Sequence, residues 1–234
     1  MKTPSKRMKP APARCASAGR RSAKPGDLLV FGRYPQTAAG ADRTPIRWRV
    51  LRNTGAELFV LSERILDAKR YHGAFADTTW RDCDLRKWLN GEFYDAAFNA
   101  AEKKAIKTAR CADNGAGRPD TRDKVFLLGV AEAQALAETL GKSASDALRR
   151  ATGTEFAKVK KADGCRLYAY NLGGDRNYVV ENGRRQGVSW WWLRTQLGQA
   201  SRATFVGTLA SIRGYGRVNL PCYGVRPALK LRLR

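Results

Sequence analysis

Residues 46–61 carry the pattern that most limits what this chain can fold into. Ile46, Trp48 and Val50 alternate with arginines, so an extended segment here has one apolar face and one basic face. Turn residues, Asn-Thr-Gly, follow at 53–55, and a second apolar run comes directly after them. The pattern predicts an antiparallel β-hairpin whose apolar face packs on a core.

Strand and helix patterns are mixed along the rest of the chain. We predict strands at 27–33 and 125–128 and a strand-rich last quarter from residue 190, with helices at 80–90, 93–98, 101–107, 131–140 and 143–161. The first of these helices has candidate N-caps at 77–79. The stretches 111–122 and 164–189 are rich in Gly and polar residues and are predicted to be mainly loop. The fold class is therefore α+β, with mixed short strands, helices packed on one side and a loop-rich face.

Charge is distributed unevenly. The 234 residues include 44 Lys+Arg, 21 Asp+Glu and one His, a formal net charge of +23. Residues 1–25 hold eight basic and no acidic residues, so we predict a disordered basic tail there. A single domain, residues 26–234, then carries 36 basic and 21 acidic residues. The tail lacks the apolar run of a secretory signal, which favours a cytoplasmic location over secretion. An organelle transit peptide and an upstream start codon are alternatives.

Composition excludes several classes of site. No stretch approaches the roughly 18 to 20 apolar residues of a membrane-spanning helix, so no transmembrane segment is predicted. His72 is the only histidine, which excludes metal sites built on several imidazoles. No metal or cofactor is predicted. The cysteines are Cys15, Cys83, Cys111, Cys165 and Cys222. They lack metal-ligand spacing, and we expect reduced thiols that serve as small apolar side chains, a disulfide between distant cysteines being the alternative.

Six phrases resemble a bacterial family known as a domain of unknown function. They lie at 31–36 (Phe-Gly-Arg-Tyr-Pro-Gln), 46–51 (Ile-Arg-Trp-Arg-Val-Leu), 85–98 (with Leu-Arg-Lys-Trp-Leu-Asn, Phe-Tyr and Ala-Phe), 124–128 (Lys-Val-Phe-Leu-Leu), 191–194 (Trp-Trp-Leu-Arg) and 224–229 (Gly-Val-Arg-Pro-Ala-Leu). The resemblance implies a C-type-lectin-like fold, similar to formylglycine-generating-enzyme-like domains and to variable proteins diversified by retroelements. In that fold a loop-rich face carries the ligand contacts. The family usually continues Trp-Trp-Leu-Arg with Ser-Pro-Gly, whereas this chain has Thr-Gln-Leu-Gly at 195–198, so we expect a different turn and a different ligand face.

Residues 199–223 mix Tyr, Ser, Asn and Arg, a composition typical of adaptable binding surfaces. In the retroelement-diversified relatives of this fold, the corresponding C-terminal stretch is the variable ligand surface. The tryptophans at 190–192 add faces on which sugar or base rings stack. The predicted ligand contacts are Trp190, Trp192, Gln199, Ser201, Arg202, Arg213, Tyr215, Arg217, Asn219 and Tyr223. A solvated loop and purely structural tryptophans are the alternatives. We expect Arg194 and Arg226 to be buried and bonded to carboxylates or main-chain carbonyls.

Three functions follow in order of preference. The first is a non-enzymatic module that displays residues 196–223 to a protein or glycan ligand. The second is a nucleic-acid-associated protein that binds the phosphate backbone without sequence specificity, because the pI is about 10.4 and basic residues are interleaved with aromatic ones. An anionic glycan or membrane surface would satisfy the same charges. The third is an enzyme of the formylglycine-generating type, although no cysteine stands in a matching motif. His72 could pair with Asp77 or Cys83.

Overall fold

The computed structural model describes residues 17–168, 177–181 and 183–233. The helices are α1 Ser17–Arg21, α2 Asp84–Trp88, α3 Tyr94–Ala97, α4 Ala100–Ala105, α5 Val130–Leu140, α6 Lys142–Arg149 and α7 Glu155–Lys158. The strands are β1 Leu28–Tyr34, β2 Thr44–Asn53, β3 Glu57–Ser62, β4 Asp67–Ala68, β5 Ile106–Lys107, β6 Ala109–Cys111, β7 Thr121–Asp123, β8 Ala151–Thr152, β9 Tyr178–Glu181, β10 Arg184–Ser189, β11 Trp191–Trp192, β12 Arg202–Val206, β13 Ile212–Arg217, β14 Gly224–Val225 and β15 Ala228–Arg232. The fold is mixed α+β, as predicted.

The predicted hairpin forms the centre of the first sheet, whose strand order is β1-β2-β3-β15-β5. Strands β2 and β3 pair antiparallel with Val50 opposite Val60, and the C-terminal strand β15 places Leu229 on the other side of Val60. The alternating pattern has the predicted effect, since Ile46 and Trp48 are buried. The Trp48 indole N–H donates to a main-chain carbonyl of β1 at 2.6 Å, so the largest ring of this sheet is also hydrogen-bonded.

The second sheet has the order β13-β12-β11-β14-β4. Strand β11 pairs antiparallel with β12 and parallel with β14, and β13 stands at the end of the sheet. Two smaller sheets complete the described part of the fold, with orders β8-β10-β9 and β6-β7. The predicted strand at 125–128 is fully buried, but it joins the first sheet only through an isolated bridge between Phe126 and Ala228.

The candidate N-caps at 77–79 do not begin helix α2, which starts later in the chain, at Asp84. Its N-cap is Cys83, whose sulfur accepts from the Arg86 N–H at 3.5 Å. The preceding turn is fixed by Trp80, which is buried and donates its indole N–H to Asp123 at 3.0 Å. Burying this ring takes precedence over the local capping preference. A π-helical turn, Leu89–Phe93, then joins α2 to α3.

The following helical predictions had different outcomes. The helix predicted at 131–140 is α5, and Gly141 follows it at a φ of 81°, as the C-terminal glycine signal indicated. The prediction of a single helix at 143–161 is wrong, because that stretch divides into α6, β8 and α7. Strand β8 pairs with β10, with Thr152 opposite Val188, so sheet hydrogen bonds replace helical ones there.

The predicted disordered tail differs from the structure where it can be compared. Residues 1–16 lie outside the described residues. Residues 17–25 include α1, and the Asn53 side-chain amide donates to the carbonyls of Arg21 and Ala23. The adjoining Gly26 N–H donates to the Val50 carbonyl at 2.8 Å, which holds this segment against β2. The predicted loop at 164–189 also lies partly outside, at 169–176 and 182, and its described part contains β9 and β10.

The described residues bear on two predictions made from composition, the absence of a membrane-spanning helix and the state of the cysteines. None of their helices is long and apolar enough to cross a bilayer. Cys83, Cys111 and Cys165 are buried free thiols, and Cys222 is a free, half-buried thiol. The expectation of reduced cysteines therefore holds for these four, and Cys15 lies outside the described residues.

Candidate functional site

Strand β13 presents the most exposed part of the predicted binding segment. Arg213, Tyr215 and Arg217 are exposed, whereas Gly216 between the last two is buried. Successive side chains of a strand point to opposite faces, so the three exposed residues share one face. The Tyr215 side chain is 62% exposed, and its ring packs edge-on against Phe205 at 5.4 Å between centroids. The core thus fixes one edge of the tyrosine and leaves the rest open.

A phenylalanine from a distant loop completes this face. Phe75 is 47% exposed, and the guanidinium carbon of Arg217 lies 4.2 Å from the centroid of its ring. The guanidinium carbon of Arg202 lies 5.6 Å from the same centroid. Both distances are within the range of cation–π attraction. We term Phe75, Arg202, Arg213, Tyr215 and Arg217 the arginine–aromatic face. The sequence analysis missed Phe75, because its partners stand far later in the chain and no local pattern marks it.

The three guanidinium groups of this face are held by neutral partners. Arg202 donates to the Tyr215 carbonyl at 3.3 Å, and Arg213 donates to the Ser211 hydroxyl at 3.3 Å. None of the salt bridges formed among the described residues includes Arg202, Arg213 or Arg217. The face consequently keeps its full positive charge beside two exposed rings.

The loop that leads into β12 adds a buried anchor and an exposed apolar side chain. Gln196 is buried, and its side-chain amide donates to the carbonyls of Ala200 and Arg202. Leu197 is 58% exposed and lies over Gly214, where a β-carbon would stand 3.1 Å from Leu197 Cβ. The Gln196 side chain therefore closes this loop from inside.

Two predicted ligand contacts in this loop act through their main chain in the structure. Gln199 is exposed, and its carbonyl accepts from the Arg202 N–H at 3.0 Å. Ser201 is half-buried, and its carbonyl accepts from the Val218 N–H at 3.2 Å. Asn219 lies beyond β13, where its carbonyl accepts from Arg70 at 3.1 Å.

Trp192 and Tyr223 are core residues, and their predicted role as ligand contacts is corrected here. Both are buried, and their rings stack at 4.0 Å between centroids. Burial raises the pKa of Tyr223 to about 12. Trp190 is half-buried and stacks on Tyr168 at 5.0 Å. Trp191 and Trp192 are both buried although they point in opposite directions, because β11 has sheet neighbours on both sides and is covered on both faces.

A family model described as "Domain of unknown function (DUF6273)" matches residues 55–233. The chain belongs to the DUF6273 family. The match contains the whole arginine–aromatic face, and it leaves out the phrases at 31–36 and 46–51. Searches among curated proteins and among solved structures found no match.

The candidate catalytic groups of this DUF6273 domain are His72 and the cysteines. His72 Nδ1 lies 2.9 Å from Asp84 Oδ2, so the partner of the histidine is neither Asp77 nor Cys83, the two considered from the sequence. Burial raises the pKa of Cys83 to about 12, which keeps that thiol protonated at neutral pH. Among the described residues, no three His, Cys, Asp or Glu side chains stand close enough to hold a metal ion.

The buried arginines of the two family phrases have the structural partners that the sequence predicted. Arg194 donates to the Leu127 carbonyl at 2.7 Å and to the Glu132 carboxylate. Arg226 donates to the carbonyls of Ser62 and Glu63, at 2.8 and 3.2 Å. Both guanidinium groups join elements that are distant in sequence. Neither belongs to the arginine–aromatic face.

Proposed function

We propose that this DUF6273 protein is a non-enzymatic binding module whose arginine–aromatic face, within residues 196–223 and extended by Phe75, binds a protein or glycan that carries negative charge. The observation that carries the proposal is the set of three guanidinium groups without carboxylate partners among the described residues, placed around two exposed aromatic rings. Leu197 adds apolar area at the border of the face.

The chemistry of the face suits recognition of anions. A guanidinium group presents N–H donors in a planar fork that matches carboxylate and sulfate oxygens. Tyrosine and arginine are among the residues that contribute most to binding energy at protein interfaces. Phe75 holds the Arg217 side chain by cation–π contact, so less conformational freedom is lost when that arginine binds. The arrangement therefore favours a ligand with several anionic groups spaced along a chain.

The finer description of the fold belongs to the same proposal. We infer a C-type-lectin-like domain in which residues 196–223 correspond to the variable ligand surface of retroelement-diversified proteins. The mixed α+β architecture and the position of this segment at the end of a sheet support that inference. A crystal structure tests it by superposition on a formylglycine-generating-enzyme-like domain, and a different strand order in the two sheets would contradict it. A reverse-transcriptase gene beside this gene would support the diversified origin.

The binding role is tested with the full chain and a triple variant, Arg213→Ala, Tyr215→Ala and Arg217→Ala. The probes are a heparin octasaccharide and a poly-glutamate peptide of similar charge. We expect the triple variant to lose about tenfold or more in affinity, because truncating contact residues at a binding surface costs at least about 1 to 2 kcal/mol. Its melting temperature should stay close to that of the parent, since these side chains are exposed.

A charge-matched control separates the face from the net charge. Arg52 and Arg232 are exposed arginines of the first sheet, and replacing both with Ala removes the same charge as the triple variant. The control should bind both probes almost as tightly as the parent. Equal losses in the two variants would mean that binding follows total charge, and the proposal would then be abandoned.

Nucleic acid is the second candidate ligand, and the same observation favours it. Exposed rings beside unpaired guanidinium groups can stack on bases while contacting phosphates. The matching experiment measures binding of a single-stranded oligonucleotide at several salt concentrations. A steep loss of affinity with salt, together with loss in the triple variant but not in the control, would move nucleic acid to first place. A flat salt response would exclude phosphate-backbone binding.

A further inference from the structure

A second candidate site lies apart from the arginine–aromatic face. A cleft of about 580 Å³ opens between helices α5 and α6 and strand β9. It borders a cleft of about 430 Å³, and the two share Arg49, Glu63 and Glu181. We term the combined space the arginine cleft. Its arginines are Arg47, Arg49, Arg64, Arg150 and Arg226.

Arg226 lines the larger of the two clefts. Its side chain is 1% exposed, and it donates to the carbonyls of Ser62, Glu63 and Leu148. Its guanidinium carbon also lies 5.1 Å from the centroid of the Trp191 ring. A guanidinium group has more N–H donors than these three acceptors use. No carboxylate of the described residues forms an ion pair with it, and a buried charge without a counter-ion is costly. Burial lowers its pKa to about 10, so it is still charged at neutral pH.

Glu63 attracts the Arg226 charge but forms no ion pair with it. The acidic side chains of the cleft are already paired, Glu63 with Arg49 and Glu181 with Arg64. Arg47 is exposed, and no salt bridge among the described residues includes it. Five arginines and two glutamates line the cleft, so its formal charge is positive.

Four apolar side chains also line the cleft. Leu140 and Leu148 come from α5 and α6, and Val179 and Val180 come from β9. Val180 is 63% exposed, so its side chain is accessible from the cleft. A mostly apolar wall with a few convergent polar groups is typical of small-molecule sites.

We propose that the arginine cleft binds a small organic anion, whose carboxylate or phosphate group lies at Arg226 in the field of Arg47 and whose apolar body packs on Leu148 and Val180. The ligand class follows from the charged and the apolar lining residues together. An inorganic anion would leave the apolar side chains uncovered, and a neutral lipid would leave Arg226 without a counter-ion. The site is independent of the arginine–aromatic face, so either proposal can fail without the other.

The test uses isothermal titration of the full chain with decanoate, decyl phosphate and decanol, each below its micelle concentration. We expect both anions to bind, and decanol to bind about tenfold or more weakly, since a charged hydrogen-bonded contact contributes about 1.5 to 3 kcal/mol. The ratio of the two anion affinities identifies the preferred head group. Equal binding of decanol, or no binding of either anion, would overturn the proposal.

Two exposed substitutions locate the site without disturbing the core. Val180→Asp places a negative charge among the apolar side chains, and Arg47→Glu reverses a charge in the smaller cleft. Each should weaken decanoate binding by about tenfold. The matched controls are Val159→Asp and Arg52→Glu, which change exposed residues of the same types outside the cleft and should leave affinity unchanged. Circular dichroism confirms that each variant is folded. Equal losses of affinity in the variants and the controls would place the bound anion outside the cleft.

Discussion

At the residue scale, a buried carboxylate holds three distant parts of the chain together. The Tyr34 hydroxyl donates to Asp67 Oδ2 at 2.7 Å, and Lys161 Nζ lies 2.9 Å from Asp67 Oδ1. Asp67 is almost fully buried, and both burial and the nearby carboxylate raise the pKa of Tyr34. A buried ion pair stabilises a fold only while both partners are present.

Removing this carboxylate should therefore be costly. We expect Asp67→Asn to lower the free energy of unfolding by about 3 kcal/mol, because Lys161 is left without its counter-ion. Tyr34→Phe should cost about 1 to 2 kcal/mol through the lost hydrogen bond. The control is Asp163→Asn, which breaks the more exposed pair with Lys69 and should cost less than about 1 kcal/mol. Urea unfolding measures all three, and equal costs for the two aspartates would contradict the account.

The raised pKa values of two buried thiols predict how the free energy of unfolding changes with pH. Burial raises the pKa of Cys83 and of Cys111 to about 12, against an ordinary value of 9.0. Between these values the unfolded chain has released protons that the folded chain keeps, so stability falls as pH rises. We expect the two thiols to lower the free energy of unfolding by about 2 to 3 kcal/mol from about pH 8 to about pH 10. Urea unfolding under reducing conditions measures the change.

A double variant provides the comparison. Replacing Cys83 and Cys111 with Ala lowers stability at every pH, but it should reduce the decline between the two pH values. The other tyrosines and thiols whose pKa is raised act in the same direction and remain in both proteins; they are Tyr34, Tyr71, Tyr223, Cys165 and Cys222. A decline of the same size in the parent and the double variant would show that these thiols are not protonated by burial.

At the scale of elements, β13 depends on a glycine. A β-carbon on Gly216 would stand 2.6 Å from Trp192 Cζ3 and 3.0 Å from the Ala203 carbonyl oxygen. We expect Gly216→Ala to cost about 1 to 3 kcal/mol, because the sheet must shift to accept the methyl group. Gly198→Ala is the control, since no atom lies within 4 Å of its β-carbon. Thermal unfolding compares the two, and a neutral effect at Gly216 would mean that β13 packs more loosely than described.

Elements with a clear local pattern were predicted from the sequence. The hairpin of β2 and β3 follows from the alternation around Trp48, and α5 follows from a helical pattern closed by Gly141. The start of α2 was not predictable, because burial of Trp80 against Asp123 sets it through a contact distant in sequence. Strand β8 interrupts a helical pattern because β10 supplies its hydrogen bonds.

The candidate site was predictable only in part for the same reason. Arg213, Tyr215 and Arg217 were predicted as contacts, and the structure brings them together on one strand. Phe75 was missed, since its place beside Arg217 is set by tertiary packing alone. Structural tryptophans were the alternative for the run at 190–192, but no local pattern shows that Trp192 is covered on both faces of its strand.

At the scale of the whole molecule, a net charge of +23 predicts salt-sensitive association with any polyanion. Residues 1–16 contribute five of the basic side chains. Replacing these five with Gln in the full chain should reduce the slope of log affinity for single-stranded DNA against log salt by at most about 3 to 4, since each phosphate contact contributes about 0.7. Affinity for the heparin octasaccharide should fall less than in the triple variant. A larger fall would place the main anion site in the tail.

The most direct test of the central claim is hydrogen–deuterium exchange of the full chain, with and without the tighter-binding of the two probes, heparin octasaccharide or poly-glutamate. Binding at the arginine–aromatic face should slow exchange in peptides that cover residues 73–77 and 196–217. Exchange in the first sheet should not change. Protection that is absent from these peptides, or confined to other basic surfaces, would contradict the claim that this face is the binding site.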